Sequence, residues 1–183
     1  MSGNQNSEAS VQGALPPGIR KLYCEAMSLA LTAAANSPDL RTQTGAAVID
    51  SHGEIVAVDH NRFPNGVTNT SERWKEPLKR SLVEHAERNA IFSAARIGTV
   101  LEGATLVAPW AACNECARAI IQAGIKTLVR FPLSAEPYNK RWDEEIALSD
   151  MILREAGVYI IELDPAEIEK VPFLEYDGVL YQP

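Results

Sequence analysis

The chain has 183 residues, 46% of them hydrophobic, which is enough for one α/β domain with a sizeable core and too few for two. A net charge of −7 and a pI near 5.0 argue against a polyphosphate as main partner, because non-specific nucleic-acid affinity comes from Lys and Arg neutralising phosphates. A small substrate is expected, and no stable nucleic-acid partner.

Residues 1–15 are rich in Ser, Asn, Gln and Gly, with too little apolar content to pack, and read as a disordered N-terminal tail. The tail carries neither the basic nor the apolar segment of a signal peptide, and no run in the chain is apolar enough to span a membrane, so a cytoplasmic location is expected. Pro16-Pro17-Gly18 opens the domain, read as residues 16–163. Ile19, Leu22, Tyr23, Ala26, Leu29, Ala30 and Ala33 then recur at helical spacing to about Asn36. Gly45 to Ile49 and Glu54 to Asp59 are rich in Val, Ile and Ala around the turn sequence Asp50-Ser51-His52-Gly53, which predicts an antiparallel hairpin.

From His60 to Pro77 no periodicity holds, and Pro64, Asn65, Gly66 and Pro77 break any regular element. Loops of this length in a compact domain are usually functional or disordered, and this one precedes a helix, so Asn61 to Val67 should wall a site. Lys79 to Ile97 reads as the second helix, Ala104 to Pro109 as the third strand, Cys113 to Ala123 as the third helix and Thr127 to Pro132 as the fourth strand. A fourth helix from Trp142 to about Gly157 leads to a fifth strand, Val158 to Leu163. A helical crossover of that length joins parallel neighbours, so the fourth and fifth strands should be parallel within a mixed sheet. The remaining residues, 164–183, hold Phe173, Leu174, Tyr176, Leu180 and Tyr181, enough apolar surface to pack back on the domain, with a tight turn at Asp177-Gly178.

Two short motifs carry the chemistry: His85-Ala86-Glu87, and Cys113-Asn114-Glu115-Cys116, which begins 28 residues later. One imidazole and two thiols form a three-ligand set suited to zinc. A structural zinc site is normally closed by a fourth protein ligand, whereas a catalytic one leaves that position to water. Cys113 and Cys116, three apart, lie on one face of a helical turn. His85 and Glu87 would diverge in mid-helix, but at a helix N-terminus aimed at the metal both reach one small volume. Two helix N-termini converging there would also favour thiolates. Other readings are a redox Cys pair, a core histidine, or a closed structural site with Cys24, His52 or His60 as fourth ligand. Glu87 beside the three donors favours a catalytic site in which it shuttles protons. With two cysteines so used, Cys24 is left unpaired, as in a reducing compartment.

This spacing is that of the zinc-dependent nucleobase deaminases. From about Ile19 to Leu163 the chain resembles the cytidine and deoxycytidylate deaminase superfamily, most of all its deoxycytidylate (dCMP) branch. That resemblance rests on Gln43-Thr44-Gly45-Ala46-Ala47-Val48-Ile49, on Asn61-Arg62-Phe63-Pro64-Asn65-Gly66-Val67, and on the zinc motifs with the following Ala117 to Ile125. It departs from the family's habit of placing Pro directly before the first zinc cysteine, since Pro109 is followed here by Trp110-Ala111-Ala112. It also has Asp59-His60-Asn61-Arg62 where Gly-Tyr-Asn-Gly is usual.

The resemblance implies a three-layer α/β/α fold on a five-stranded mixed sheet, and one catalytic zinc ion per chain held by His85, Cys113 and Cys116. It implies Glu87 as the catalytic acid and base, and conversion of dCMP to dUMP with release of ammonia. Asn61 and the Ala86 backbone become substrate contacts, and Tyr138 lies in a region that touches substrate in the family. It also implies a homo-oligomer, often a hexamer. Another small nucleoside or nucleobase, or less favourably a tRNA adenosine, is the alternative substrate. Trp110 walls the base pocket or anchors the third strand in the core. Arg41, Arg62, Lys140 and Arg141 sit in predicted loops near the site, as phosphate contacts or as solvated charges, and Arg41 is taken as a candidate contact.

Overall fold

The computed structural model describes residues 15–135 and 143–182. Apart from Leu15, the expected N-terminal tail lies outside them, as do Tyr138, Lys140, Arg141 and Trp142.

The first strand shows how the layers arise. β1 (Gly45–Ile49) is buried along its whole length because both of its faces are covered. Its alternate residues part to opposite sides, as the two-residue period of a strand requires. Ala46 and Val48 join Leu106, Ala108 and Leu128 in a core beneath α3 (Ala86–Arg96), α4 (Asn114–Gln122) and α5 (Asp143–Glu155). Ala47 and Ile49 join Val107, Val129 and Phe131 beneath α1 (Pro17–Ala34), which contributes Met27, Ala30, Leu31 and Ala34.

Around β1 run β2 (Ile55–His60), β3 (Thr105–Val107), β4 (Thr127–Arg130) and β5 (Tyr159–Glu162), in the spatial order β2-β1-β3-β4-β5. β1 is antiparallel to both of its neighbours, and β3, β4 and β5 are parallel. The mixed five-stranded sheet and the parallel β4–β5 pair are as expected. Asp50 shapes the β1–β2 turn by accepting from the amides of His52 and Glu54 at 2.8 and 3.0 Å, while Gly53 takes a φ of 87°.

One expectation fails. Lys79 to Ile97 is not a single helix but two, α2 (Leu78–Leu82) and α3, separated by extended backbone at Val83 and His85. The cause lies 22 residues upstream, where the backbone of Arg62 exchanges hydrogen bonds with that of Glu84 at 3.1 and 2.8 Å. That bridge takes Glu84 out of the helical ladder, so His85 becomes the residue that caps a new helix. The 60–77 stretch also contains a 3₁₀ turn at Ser71–Trp74, held by Trp74 stacking on Phe63 with ring centroids 4.2 Å apart.

Beyond β5, Asp164 caps a 3₁₀ turn, and the chain then forms a hairpin of β6 (Leu174–Tyr176) and β7 (Val179–Tyr181). Asp177 and Gly178 at its tip both have positive φ, 51° and 81°, the geometry of the two-residue turns that Asp-Gly favours. The hairpin docks on the 41–43 segment, where the Gln43 amide donates to the Glu175 carbonyl at 2.7 Å and the Gly178 amide to the Arg41 carbonyl at 2.7 Å. No described helix is long and apolar enough to cross a membrane.

Candidate active site

His85 and Cys113 occupy equivalent places. Each is the residue before a helix, α3 and α4 respectively, with extended backbone, so the two helix N-termini converge. Cys116 follows one turn into α4 and is fully buried. His85 Nδ1 lies 3.5 Å from Cys113 Sγ and 3.6 Å from Cys116 Sγ. Tetrahedral zinc with Zn–S near 2.3 Å and Zn–N near 2.1 Å requires an S···N edge of about 3.6 Å, so the donor set fits that ion. Among the described residues this is the cluster of metal-ligating side chains, and neither Cys24, His52 nor His60 belongs to it. The fourth position is thus not closed by any of the three side chains considered for it.

The three donors are strongly coupled to one another. Cys113 is pulled down to about 3, first by the Cys116 thiol donating to it and then by His85, against the cost of burial. Cys116 is pushed up by the same bond and by burial. For His85, burial favours the neutral ring, but Cys113 and the charge of Glu87 outweigh it and raise the value to about 9. Arg88 ties the two helix starts together, donating to Glu84 and, at 2.6 Å, to Glu115.

Glu87 is the second residue of α3 and is 5% exposed. Its Oε2 has no hydrogen-bond partner, and burial holds its carboxyl above the usual carboxylate range, with His85 pulling the other way. An unsatisfied buried carboxylate oxygen costs stability, so its presence beside three metal-type donors points to a proton-transfer role.

These groups open into a cleft of about 260 Å³ that is also lined by Asp39, Arg41, Thr44, Asn61, Lys79 and Trp110. Trp110 has a place in both the core and the cleft wall. It is 5% exposed and packs in the core with α1, yet it also faces the cleft, and its indole N–H donates to the Gln43 carbonyl at 3.4 Å. Asn61 faces the cleft too, but its amide is already engaged with the Thr44 amide at 3.0 Å, the Thr42 carbonyl at 2.7 Å and Asp39 at 3.3 Å. Ala86 is buried as the first residue of α3. Arg41 is on the cleft wall, whereas Arg62 is held elsewhere by Asp59 and Asn65.

Asp39 was not singled out from the sequence. It accepts from the amides of Arg41 and Thr42 and from Asn61, and it pairs with Lys79 at 2.7 Å, so it organises one whole wall. Tyr176 and Asp177, from the C-terminal hairpin, are likewise in the lining. No local pattern could have identified them, because their neighbours are distant in sequence: Trp110 lies 66 residues before Tyr176, and Arg41 136 before Asp177.

The family model described as the cytidine and deoxycytidylate deaminase zinc-binding region matches residues 20–131, the span that contains all four of His85, Glu87, Cys113 and Cys116. The chain belongs to that family. Among its relatives, a deaminase from the luxG 3′ region of Aliivibrio fischeri is 38% identical over 134 residues, covering 73% of this chain and 87% of the relative. Human deoxycytidylate deaminase is 29% identical over 163 residues, 86% of each chain. The apo crystal structure of dCMP deaminase from the cyanophage S-TIM5 superposes with a TM-score of 0.58 at 25% identity, covering 81% of this deaminase chain and all of that one. The β6–β7 hairpin lies outside the stretch matched to the family.

Proposed function

We propose that this deaminase hydrolyses the exocyclic amine of a cytosine nucleotide, dCMP before others, giving dUMP and ammonia. One observation carries the reading: the buried carboxyl of Glu87, whose Oε2 has no hydrogen-bond partner, stands beside a three-donor His–Cys–Cys set whose spacing fits zinc. Zinc held by His85, Cys113 and Cys116 supplies a Lewis acid that makes water nucleophilic near neutral pH.

The chain's own residues then manage the protons and the pose. Glu87 takes the proton lost by the water as oxygen adds to C4 of the ring. It passes that proton to N3, then takes the second from the new C4 hydroxyl and gives it to the amino group, so the C4–N bond breaks, a C4 carbonyl remains and ammonia leaves. A carboxyl raised by burial suits both halves of this relay, because it takes up a proton more readily than an exposed carboxylate does. Trp110 gives the base a flat apolar wall, and His85 and Glu87, on either side of Ala86, are the residues at the start of α3 that line the cleft. Arg41, Lys79 and Arg80 place cationic groups on the cleft wall, the charge type that a 5′-phosphate requires.

Ammonia release from cytosine, deoxycytidine, dCMP and a tRNA stem-loop, each with zinc-loaded protein, tests the reading. Here kcat/KM for dCMP should exceed that for deoxycytidine by at least about tenfold, the ratio for 1.4 kcal/mol. Equal values, or a preference for the nucleoside, would overturn the monophosphate assignment, and release only from the stem-loop would overturn the small-substrate assignment.

A further inference from the structure

We propose that Asp177, at the tip of the C-terminal hairpin, is a specificity-determining residue: its carboxylate engages the Arg41 guanidinium on the cleft wall and so weakens the hold of the site on anionic substrates relative to neutral ones. The inference rests on the reading of this cleft as the substrate site. Both the Nε and the Nη2 of Arg41 point at one oxygen, Asp177 Oδ1, at 3.1 and 2.9 Å. A substrate anion approaching this guanidinium would need the same two N–H groups, so the protein's own carboxylate competes with it for them.

The carboxylate is delivered there by a fixed element. Positive φ at Asp177 and Gly178 sets the turn, and the Asp177 amide donates to Thr42 Oγ1 at 3.2 Å while the Gly178 amide donates to the Arg41 carbonyl. Tyr176 adds an edge contact to Trp110, with ring centroids 5.0 Å apart. The pair itself is not sealed. The side chain of Arg41 is 55% exposed, so an incoming anion can exchange with Asp177, and an ion pair this open holds only weakly. Lys79 differs in that it is locked on Asp39, with side-chain exposures of 11% and 3%. Arg41 is therefore the cation whose availability the hairpin sets, and the hairpin lies beyond residues 20–131, the stretch that matches the family.

Asp177→Asn isolates the charge. Asn tolerates the left-handed backbone, Asn-Gly favours the same turn, and an acceptor oxygen is kept. In the zinc-loaded protein the ratio of kcat/KM for dCMP over deoxycytidine should rise about three- to fivefold. In an Arg41→Gln background the same substitution should move that ratio by less than about twofold. An unchanged or lower ratio in Asp177→Asn, or an equal rise without Arg41, would overturn the proposal. Calorimetric affinities for dUMP and deoxyuridine should shift in the same sense, and they decide the matter even for a variant with slow turnover. The wild-type ratio by itself tests the monophosphate reading, and only its change on substitution tests Asp177.

Discussion

Gly45→Ala is the substitution for which the geometry predicts the largest effect from the smallest change. A Cβ built on Gly45 would lie 1.9 Å from the Ala30 carbonyl oxygen and 2.8 Å from both the Ala30 carbonyl carbon and the Ala34 amide nitrogen. Ordinary non-bonded contact is near 3.5 Å, so α1 and β1 would have to part by more than about 1 Å. Backbone on both sides of the clash leaves no side chain to swing away. Lifting α1 would also open the packing of Met27, Ala30, Leu31 and Ala34 against the sheet. Overpacking typically costs about 1–3 kcal/mol, and the upper end applies here. For a chain of this size about 3 kcal/mol lowers Tm by roughly 6–12 °C. Gly18→Ala is the control, because nothing lies within 4 Å of its new methyl and the position is helical. It should be neutral or stabilising by up to about 1 kcal/mol. Thermal and denaturant unfolding of both variants check this. A Gly45→Ala protein within about 0.5 kcal/mol of wild type would refute the claim that close α1–β1 contact holds this face together.

Other predictions follow from buried charge and from titration. Arg130, 2% exposed by side chain, pairs with both oxygens of Asp150 at 2.8 Å, so Asp150→Ala should cost about 3–5 kcal/mol, measured by denaturant unfolding. Replacing both partners together by Met and Leu should recover most of that loss, and a single variant costing under about 1 kcal/mol would contradict the assignment. His60 has a lowered pKa because burial disfavours its charged form and Arg62 adds to this, with Asp59 opposing. The unfolded chain therefore binds the proton more readily below about pH 6.5, and stability should fall as pH drops from there toward the lowered value. Tm measured across that window should fall less in His60→Gln than in wild type, and an identical slope would show that His60 is not responsible.

Local pattern made much of this molecule legible. The apolar repeat after Pro17, the apolar run of β1 and the His-x-Glu and Cys-x-x-Cys spacings are all set by residues a few positions apart, and each marks its element, although Ile19 and Leu29 of that repeat are exposed and the buried face runs through Met27, Leu31 and Ala34 instead. What the pattern concealed was made by distant partners. Nothing in residues 79–97 marks the break at Val83–His85, because the Arg62 backbone causes it by pairing with Glu84. That break is also what resolves the geometric difficulty of His85 and Glu87, two residues apart, since a new helix starts directly after His85 and holds Glu87 in its first turn. Asp39 reads as an ordinary loop acid until Lys79, Asn61 and the 41–42 amides are seen to meet on it. Of the 61–67 stretch expected to wall the site, Asn61 alone lines the cleft, and its bonds to Thr42 and Thr44 make Asn61→Ala a structural lesion as well as a probe of binding.

The most direct test of the account pairs zinc content with ammonia release from dCMP on the same purified samples of wild type and Glu87→Gln. The account predicts about one zinc per chain in both proteins and a loss of turnover of about 10²–10⁴-fold in the variant, the range for a positioned acid and base. An active wild type without zinc, or a Glu87→Gln protein that stays active or loses its metal, would contradict it.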